Sequence, residues 1–570
     1  MASSPSTDSE RPWLRQYPPG VPAHVPIPER TLHAVIGEAI RQYPDHTALI
    51  YYGRTWTYRQ LDEQSARFAA SLRREGVRPG DRVALYLPNC PAYPIAFLGI
   101  LRAGAIVVQV SALYFGDELA ALLRDSEPKA VVTLEFLYPN LERIRGTFFP
   151  PVVYVARLRE LYPLRTRPFV NLVLRRQGRD TRVPRAAEVR LWGRVVRTPG
   201  TVEDHVCDPS TTVAVFQYTG GTTGRAKAAM LTHRNLLANV TQLNTWNIRR
   251  DPGRETVLAS IPFFHIYGLT VALLCALVEG DAVVIQTRPD IPEAMKLIRR
   301  YRPTQIPGVP ALYMGLIRYP KIEQFHVHSI KFCMSGSAPL PVEVMRRFEE
   351  LTGARLVEGY GLSEASPATH ANPVAGDRRA GSIGLPLPDT DQRIVDLETG
   401  RNDLPGGEAG ELCVRGPQVM LGYFHNVADT SATLIDGWLH TGDVARIDAE
   451  GWAYIVDRKK DMINVGGFKV YPREVEEVLF QHAAVADAAV VGVPDPELGE
   501  VVRAYVVLKP GASATTPELI AFVRERLAHY KAPRSIEFRS ELPRSGIQKV
   551  LRRVLHAEAI AQAKATSPGP

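Results

Sequence analysis

The chain has no CxxC pair and only five cysteines in 570 residues. They stand far apart, at Cys90, Cys207, Cys275, Cys333 and Cys413, an odd number with no metal-ligand spacing. That pattern argues against a disulfide framework and a thiolate metal site, and reduced thiols in a cytoplasmic protein are expected. Long hydrophobic runs are also missing. The longest, Ile266 to Val278, falls well short of the ~20 residues a spanning helix needs. Met1 to Arg11 is polar and carries no apolar leader. The expectation is a cytoplasmic protein, at most peripheral on the inner face of the membrane. There are no internal repeats and no motif of the nucleic-acid repertoire, so no nucleic-acid partner is expected. A Walker pattern is absent as well: Gly224 is followed by Arg225-Ala226 rather than Lys-Ser/Thr.

What is present is ample apolar material, 45% of the chain, in a length too great for one domain of ~100–200 residues. From Thr31 to Thr133, strand-like runs such as Arg82 to Leu87 and Ile106 to Val110 alternate with helical patterns. The alternation resumes at Val257 to Pro262, Ala282 to Gln286 and Ile330 to Met334. Such βα units predict an α/β fold with a largely parallel sheet and helices on both faces. After about Gly381 short strands and Gly/Asp turns take over, and beyond Asp457-Arg458-Lys459-Lys460-Asp461 a small α+β domain is expected. The expected division is 1–459, with 381–459 as a β-rich subdomain, and 460–570, with a hinge at Lys460.

The net charge of +8 is concentrated. Arg157 to Arg185 holds nine arginines against Glu160 and Asp180, a surplus of seven, interleaved with Leu, Val, Phe and Tyr. This mixture suits an anionic membrane surface or cofactor phosphates; a solvated basic insertion is the plain alternative.

The densest chemical signal is Tyr218-Thr219-Gly220-Gly221-Thr222-Thr223-Gly224-Arg225-Ala226-Lys227. Three glycines and three threonines give a loop without bulky side chains. Its N–H groups and hydroxyls can converge on an anion, with Lys227 adding charge. Alone, such a loop can also be a mere strand-to-helix turn. Other segments accompany it. Phe263-Phe264-His265-Ile266-Tyr267-Gly268 sets one histidine among aromatics, where a satisfied core histidine is the usual outcome. Glu358-Gly359-Tyr360-Gly361-Leu362-Ser363-Glu364 brings an aromatic face, a hydroxyl and a carboxylate into one turn, enough to stack a base and hold Mg²⁺. Trp438 to Asp443 offers a carboxylate at a turn, fit for ribose hydroxyls. Asp457 to Glu476 supplies Arg458, Lys460 and the pair Gly466-Gly467. Pro543 to Arg553 places Lys549 in a turn of small residues.

In this order these segments resemble the adenylate-forming superfamily over roughly Pro28 to Arg553, and within it bacterial long-chain fatty-acid–CoA ligases. The latter share segments like Lys331 to Pro341 and Asp457 to Ile463. The resemblance implies ATP, Mg²⁺ and coenzyme A as co-substrates and cofactor, a fatty acid as substrate, and a homodimer. It also implies roles. Thr219, Gly220, Gly221, Thr222, Thr223, Gly224 and Lys227 would cradle the ATP phosphates. Gly336, Ser337, Ala338 and Tyr360 would line the adenine pocket, and Glu358, Gly359 and Gly361 would belong to the ATP site. Ser363 would lie near the α-phosphate and Glu364 toward Mg²⁺, while Asp443 and Arg458 would hold the ribose. His265 would stand beside the acyl carboxylate, Lys549 would serve adenylation, Lys460 would be the hinge, and Gly466 and Gly467 would line the pantetheine tunnel. Three departures stand out. Gln548 replaces the glycine that usually precedes the lysine, Tyr313 stands where some long-chain relatives have a gating tryptophan, and Ser363 replaces the commoner threonine. An aryl- or hydroxycinnamoyl-CoA ligase is the enzymatic alternative, and a catalytically silent acyl- or membrane-binding protein the alternative of another class.

Overall fold

Apolar runs before Asp391 become the strands of three sheets in the computed structural model, which describes residues 11–176, 183–219, 226–459, 461–495, 498–544 and 550–566. The largest sheet has eight strands. Its centre is parallel: Ile106–Val110, Arg82–Tyr86, Ala130–Leu134, Val152–Ala156 and Val189–Leu191 follow one another in space. Ala130–Leu134 and Val152–Ala156 are buried at every position, as expected of parallel strands covered on both faces. Ala84, Val108, Val131, Val153 and Phe216 form the core beneath.

Two helices of this unit recur below, α1 (Leu32–Gln42) and α2 (Arg167–Arg176). Next to Ile106–Val110 lies β1 (Val213–Thr219), and beyond it the antiparallel β2 (Lys227–Thr232). Thr232 closes β2 and opens α3 (His233–Trp246) with a reciprocal cap. Its hydroxyl accepts from Asn235 N at 3.1 Å, and Asn235 Oδ1 accepts from Thr232 N at 2.9 Å. Such a cap stabilises a helix start by about 1 kcal/mol. A second sheet joins Thr256–Ala259, Ala282–Ile285, Thr47–Tyr51 and Arg54–Thr57. A third joins Phe332–Ser335, β3 (Arg355–Gly361), Ala368–Ala371 and Leu385–Pro386.

The chain divides into two compact units. The larger consists of Trp13–Asp391 and Arg415–Leu439, the smaller mainly of Gln392–Val414 and His440–Pro570. The smaller contains β4 (Gly410–Arg415), β5 (Trp438–Ile447) and β6 (Ala453–Arg458), neighbours in one sheet. It also holds an α+β layer: α4 (Pro472–Phe480), Thr516–Arg524 and Arg552–Thr566 accompany the long hairpin Val485–Asp495 and Gly499–Leu508. The α/β class with a small α+β C-terminal domain is therefore as expected. Three local expectations shift. Asp443 lies inside β5 rather than at a turn, because its backbone pairs with β6. Glu358 to Glu364 is not one turn but the end of β3 followed by the short 3-10 helix Ser363–Ala365. The stretch Pro517 to His529 reads as one helix in the sequence, but the helix stops at Arg524, and a 3-10 turn, His529–Lys531, follows.

Candidate active site

The Gly/Thr loop joins two antiparallel strands and is not a strand-to-helix turn: Thr219 and Lys227 are directly paired across the β1–β2 hairpin. Gly220, Gly221, Thr222, Thr223 and Gly224 themselves lie outside the described residues. Lys227 is 13% exposed at its side chain, and its Nζ sits 2.7 Å from Asp429 Oδ2 and 5.4 Å from the Tyr423 ring centre. Tyr423 in turn donates its hydroxyl to Glu364 Oε1 at 2.8 Å. Glu364 is tied a second time, since its carbonyl accepts from Met420 N at 2.7 Å. The lysine at the end of the loop and the carboxylate expected to face Mg²⁺ thus share one tyrosine. Lys227 beside Asp429 holds that carboxyl below its ordinary range, whereas burial and Glu364 push the Tyr423 phenol up. Sequence reading missed both Tyr423 and Asp429. Each lies roughly two hundred residues from Lys227, and only the pairing of Gly422–Tyr423 with β2 (Tyr423 opposite Ala229) brings them near.

A second group of expected residues meets where Phe332–Ser335 runs parallel to β3. Ser335 pairs with Glu358, so Gly336, Ser337 and Ala338 leave their strand beside Gly359 and Tyr360. The surface there is nearly bare backbone. A Cβ on Gly336 would meet the Tyr267 ring at 3.2 Å, and one on Gly361 would meet Pro367 O at 2.0 Å. Ser337 adopts φ +68°, which turns the chain away from the strand. Tyr360 packs edge-on against His370, with ring centres 5.9 Å apart. A cavity of about 130 Å³ opens here, lined among others by Leu340, Met345, Glu358, Asn372 and Arg378. Ser363 opens the 3-10 turn that carries Glu364.

His265 is half-buried on a loop fixed from below. Asn89 accepts from Phe263 N at 2.7 Å and donates to Ile261 O at 2.9 Å, and Gln217 donates to Phe264 O at 3.3 Å. The His265 Nδ1 accepts from Tyr267 N at 3.2 Å, which leaves Nε2 as the nitrogen that carries the proton in the neutral ring. The widened π-helix Gly268–Leu274 follows at once; such turns recur at functional sites. Tyr313 is fully buried, with its hydroxyl donated to Ile306 O at 2.8 Å and Met334 O at 2.9 Å. Any gating motion there has to break both bonds.

The remaining expected residues lie in the smaller unit. Asp443 and Arg458 are paired across β5 and β6, with Arg458 Nε 3.4 Å from Asp443 Oδ1. Gly466 and Gly467, at φ +58° and +89°, form the two-residue turn of the hairpin Ile463–Val465 and Phe468–Val470. Both values suit a type I′ turn, which supplies a backbone reason for two glycines independent of any tunnel. Arg552 is anchored by Glu476 at 2.5 Å and Asp461 at 3.6 Å. Lys460 and Lys549 lie outside the described residues. Among the described residues no cluster of three or more His, Cys, Asp or Glu side chains is arranged to hold a metal. One carboxylate, Glu364, linked through Tyr423 to Lys227, fits the way Mg²⁺ is held, by few protein ligands and the substrate's own oxygens.

Comparison with known proteins gives the family. Residues 36–424 match the AMP-binding enzyme family and residues 474–549 the AMP-binding enzyme C-terminal domain. A long-chain-fatty-acid–CoA ligase of Bacillus subtilis is 43% identical over 96% of this chain and 98% of its own. One from Escherichia coli O6:H1 is 40% identical over the same shares. A 4-coumarate–CoA ligase-like protein of Oryza sativa is 35% identical over 98% of this chain and 97% of its own. Among solved structures, the anthranilate CoA ligase AuaEII with anthranoyl-AMP superposes with a TM-score of 0.82 at 26% identity, over 95% of this chain and 99% of that one. On these matches the chain belongs to the AMP-binding enzyme family.

Proposed function

We propose that Thr219, Lys227 and the Gly/Thr loop between them bind the ATP phosphates for the activation of a long-chain fatty acid. The reaction is that of a fatty-acid–CoA ligase. The acid's carboxylate oxygen attacks the α-phosphorus of ATP, the bond to pyrophosphate breaks, and acyl-AMP forms. The CoA thiol then loses its proton and attacks the acyl carbon, and AMP leaves. The observation that carries this reading is the Lys227–Tyr423–Glu364 linkage, which sets a cation and a carboxylate beside the loop. The bacterial long-chain ligases at 40–43% identity favour a fatty acid over the aromatic acid of the coumarate-type relative at 35%.

Two anions meet in the first step, so positive charge has to gather at the transition state. Lys227 supplies part of it and Lys549 the part specific to adenylation. Mg²⁺ held at Glu364 would neutralise phosphate charge. Gly336, Ser337, Ala338 and Tyr360 receive the adenine, with Glu358, Gly359 and Gly361 in the same ATP site; Ser363 takes the α-phosphate, and Asp443 with Arg458 the ribose. His265 orients the acid, and Tyr313 serves as the acyl gate once its hydroxyl is released from Ile306 and Met334. For the second step the domain from 460 onward turns about Lys460, withdrawing Lys549 and presenting Gly466 and Gly467 to CoA. The test is AMP and pyrophosphate release over acids of graded length and an aromatic acid, with and without CoA.

The basic segment supports attachment to an anionic membrane. Leu164, Phe169 and Leu172 are 75%, 67% and 46% exposed, and Arg165, Arg175 and Arg176 are exposed with them. The patch is held in place rather than loose. Tyr162 stacks on Tyr52 at 5.1 Å, and Arg167 donates to the Tyr162 and Glu160 carbonyls. Arg167 and Arg157, the latter 3.9 Å from Glu160, thus serve the fold. A homodimer is proposed on the family resemblance alone, and sedimentation tests it.

A further inference from the structure

The pair Asp443 and Arg458 is gripped from both sides by one buried carboxylate that no motif singles out. Glu411, on β4, is 5% exposed. Its Oε1 accepts from Gly442 N at 3.1 Å, the residue directly before Asp443. Its Oε2 accepts from Lys459 Nζ at 3.0 Å, the residue directly after Arg458, and lies 3.4 Å from His440 Nδ1. Lys459 N closes the square by donating to Gly442 O at 2.9 Å. Next to Glu411, Leu412 O accepts from Thr441 Oγ1 at 2.7 Å, and that hydroxyl accepts from Asp443 N at 3.1 Å. Gly442 bends at φ +72°, a left-handed conformation that leaves its N–H turned toward the carboxylate. A buried carboxylate is costly unless its oxygens are fully used, and both of these are.

We propose that Glu411 is a positioning residue for the nucleotide: by holding Gly442 and Lys459 it fixes the spacing of Asp443 and Arg458 at which they take the vicinal hydroxyls of the ATP ribose. The inference rests on the proposed role of Asp443 and Arg458 and deepens it. Glu411 touches no substrate. Its effect therefore passes through the ribose contact, and it disappears when the ribose hydroxyls do.

That property gives the test. Adenylation is measured with ATP, 2′-deoxy-ATP and 3′-deoxy-ATP in the full-length parent, Asp443→Ala, Glu411→Gln and Lys459→Met proteins. The parent is expected to prefer ATP by about tenfold or more in kcat/KM, since each lost hydroxyl removes a charge-assisted hydrogen bond. Asp443→Ala loses that preference. Glu411→Gln raises the KM for ATP with little change in kcat and shrinks the preference below about threefold, while the deoxy substrates are turned over as in the parent. Lys459→Met, which removes the partly exposed cation that pairs with the buried carboxylate, is expected to do the same, and it decides the matter if Glu411→Gln does not fold. A Glu411 variant that keeps the full preference, or slows all three nucleotides equally, overturns the proposal and leaves Glu411 a residue of the fold. A parent enzyme or Asp443→Ala variant that behaves otherwise overturns the ribose assignment itself, which is a separate result.

Discussion

At the scale of single residues, charge placement separates the two half-reactions. Lys549→Ala is expected to lower acyl-adenylate formation by about 10²-fold or more and to spare thioester formation from pre-made acyl-AMP; equal loss in both would remove the lysine from its role. Tyr423→Phe removes the hydroxyl that Glu364 accepts at 2.8 Å. The Mg²⁺ concentration for half-maximal pyrophosphate exchange should then rise about tenfold, and an unchanged Mg²⁺ curve would detach Glu364 from the cation. Gly467→Leu should leave pyrophosphate exchange intact and depress CoA-dependent turnover. Because Gly467 has φ +89° with nothing within 4 Å of a Cβ, Gly467→Ala carries the same backbone strain without the bulk. Turnover that falls equally in both variants would point to the turn and not to a tunnel. Most of these positions were legible in the sequence, because the site is built from short contiguous motifs. Tyr423, Asp429 and Glu411 were not: each acts through a strand pairing, and an isolated Tyr, Asp or Glu in an ordinary run carries no mark of its distant partner.

At the scale of elements, α2 and the α1–α3 contact make opposite kinds of prediction. The exposed face of α2 should bind anionic vesicles reversibly, at ~1 kcal/mol per basic residue near the surface, and release them as salt rises. Co-sedimentation of the parent against a variant with glutamine at Arg165, Arg175 and Arg176 checks this. Equal binding, or no preference for anionic over neutral vesicles, would reduce the segment to a solvated insertion. The charge surplus was plain in the sequence, but the division of labour among its arginines was not, since Arg157 and Arg167 are turned inward to Glu160 and Tyr162. In the α1–α3 contact, His33 and His233 pack with ring centres 5.7 Å apart. His233 Nδ1 accepts from Leu32 N at 3.2 Å, which requires that nitrogen to be unprotonated. Burial pushes His33 down to about 4 and His233 down to about 3. From pH 6.5 down to about 4 for His33 and about 3 for His233, the unfolded chain takes up protons that the folded one refuses, so stability falls as pH falls through that window. The loss is on the order of 3 kcal/mol per histidine. His233→Asn, which keeps an acceptor for Leu32 N but cannot titrate, should flatten the acid side of the thermal midpoint against pH; an unaltered slope would place the acid sensitivity elsewhere.

At the scale of the whole molecule, a large α/β unit carries Thr219, Lys227, the stretch proposed for adenine and Glu364, and a smaller unit carries Asp443, Arg458 and the Gly466-Gly467 turn. The alternating apolar runs made the parallel sheets readable in advance, because period and burial coincide there. Compactness follows different lines from sequence rhythm: the division falls after Asp391, Val414 and Leu439, inside the stretch 381–459 that reads as β-rich. Strand pairing sets that grouping, and pairing partners are not written in local composition. The proposed ligase activity requires that adenylation of the acid precede thioester formation. The most direct measurement is therefore pyrophosphate and AMP release by the purified protein with ATP and Mg²⁺, across fatty acids of increasing length and one hydroxycinnamic acid, with and without CoA. The expected result is acid-dependent pyrophosphate release without CoA, AMP turnover only when CoA is added, and a preference for long chains over the aromatic acid. Pyrophosphate release that does not depend on any acid, or turnover with the hydroxycinnamic acid alone, would contradict the assignment.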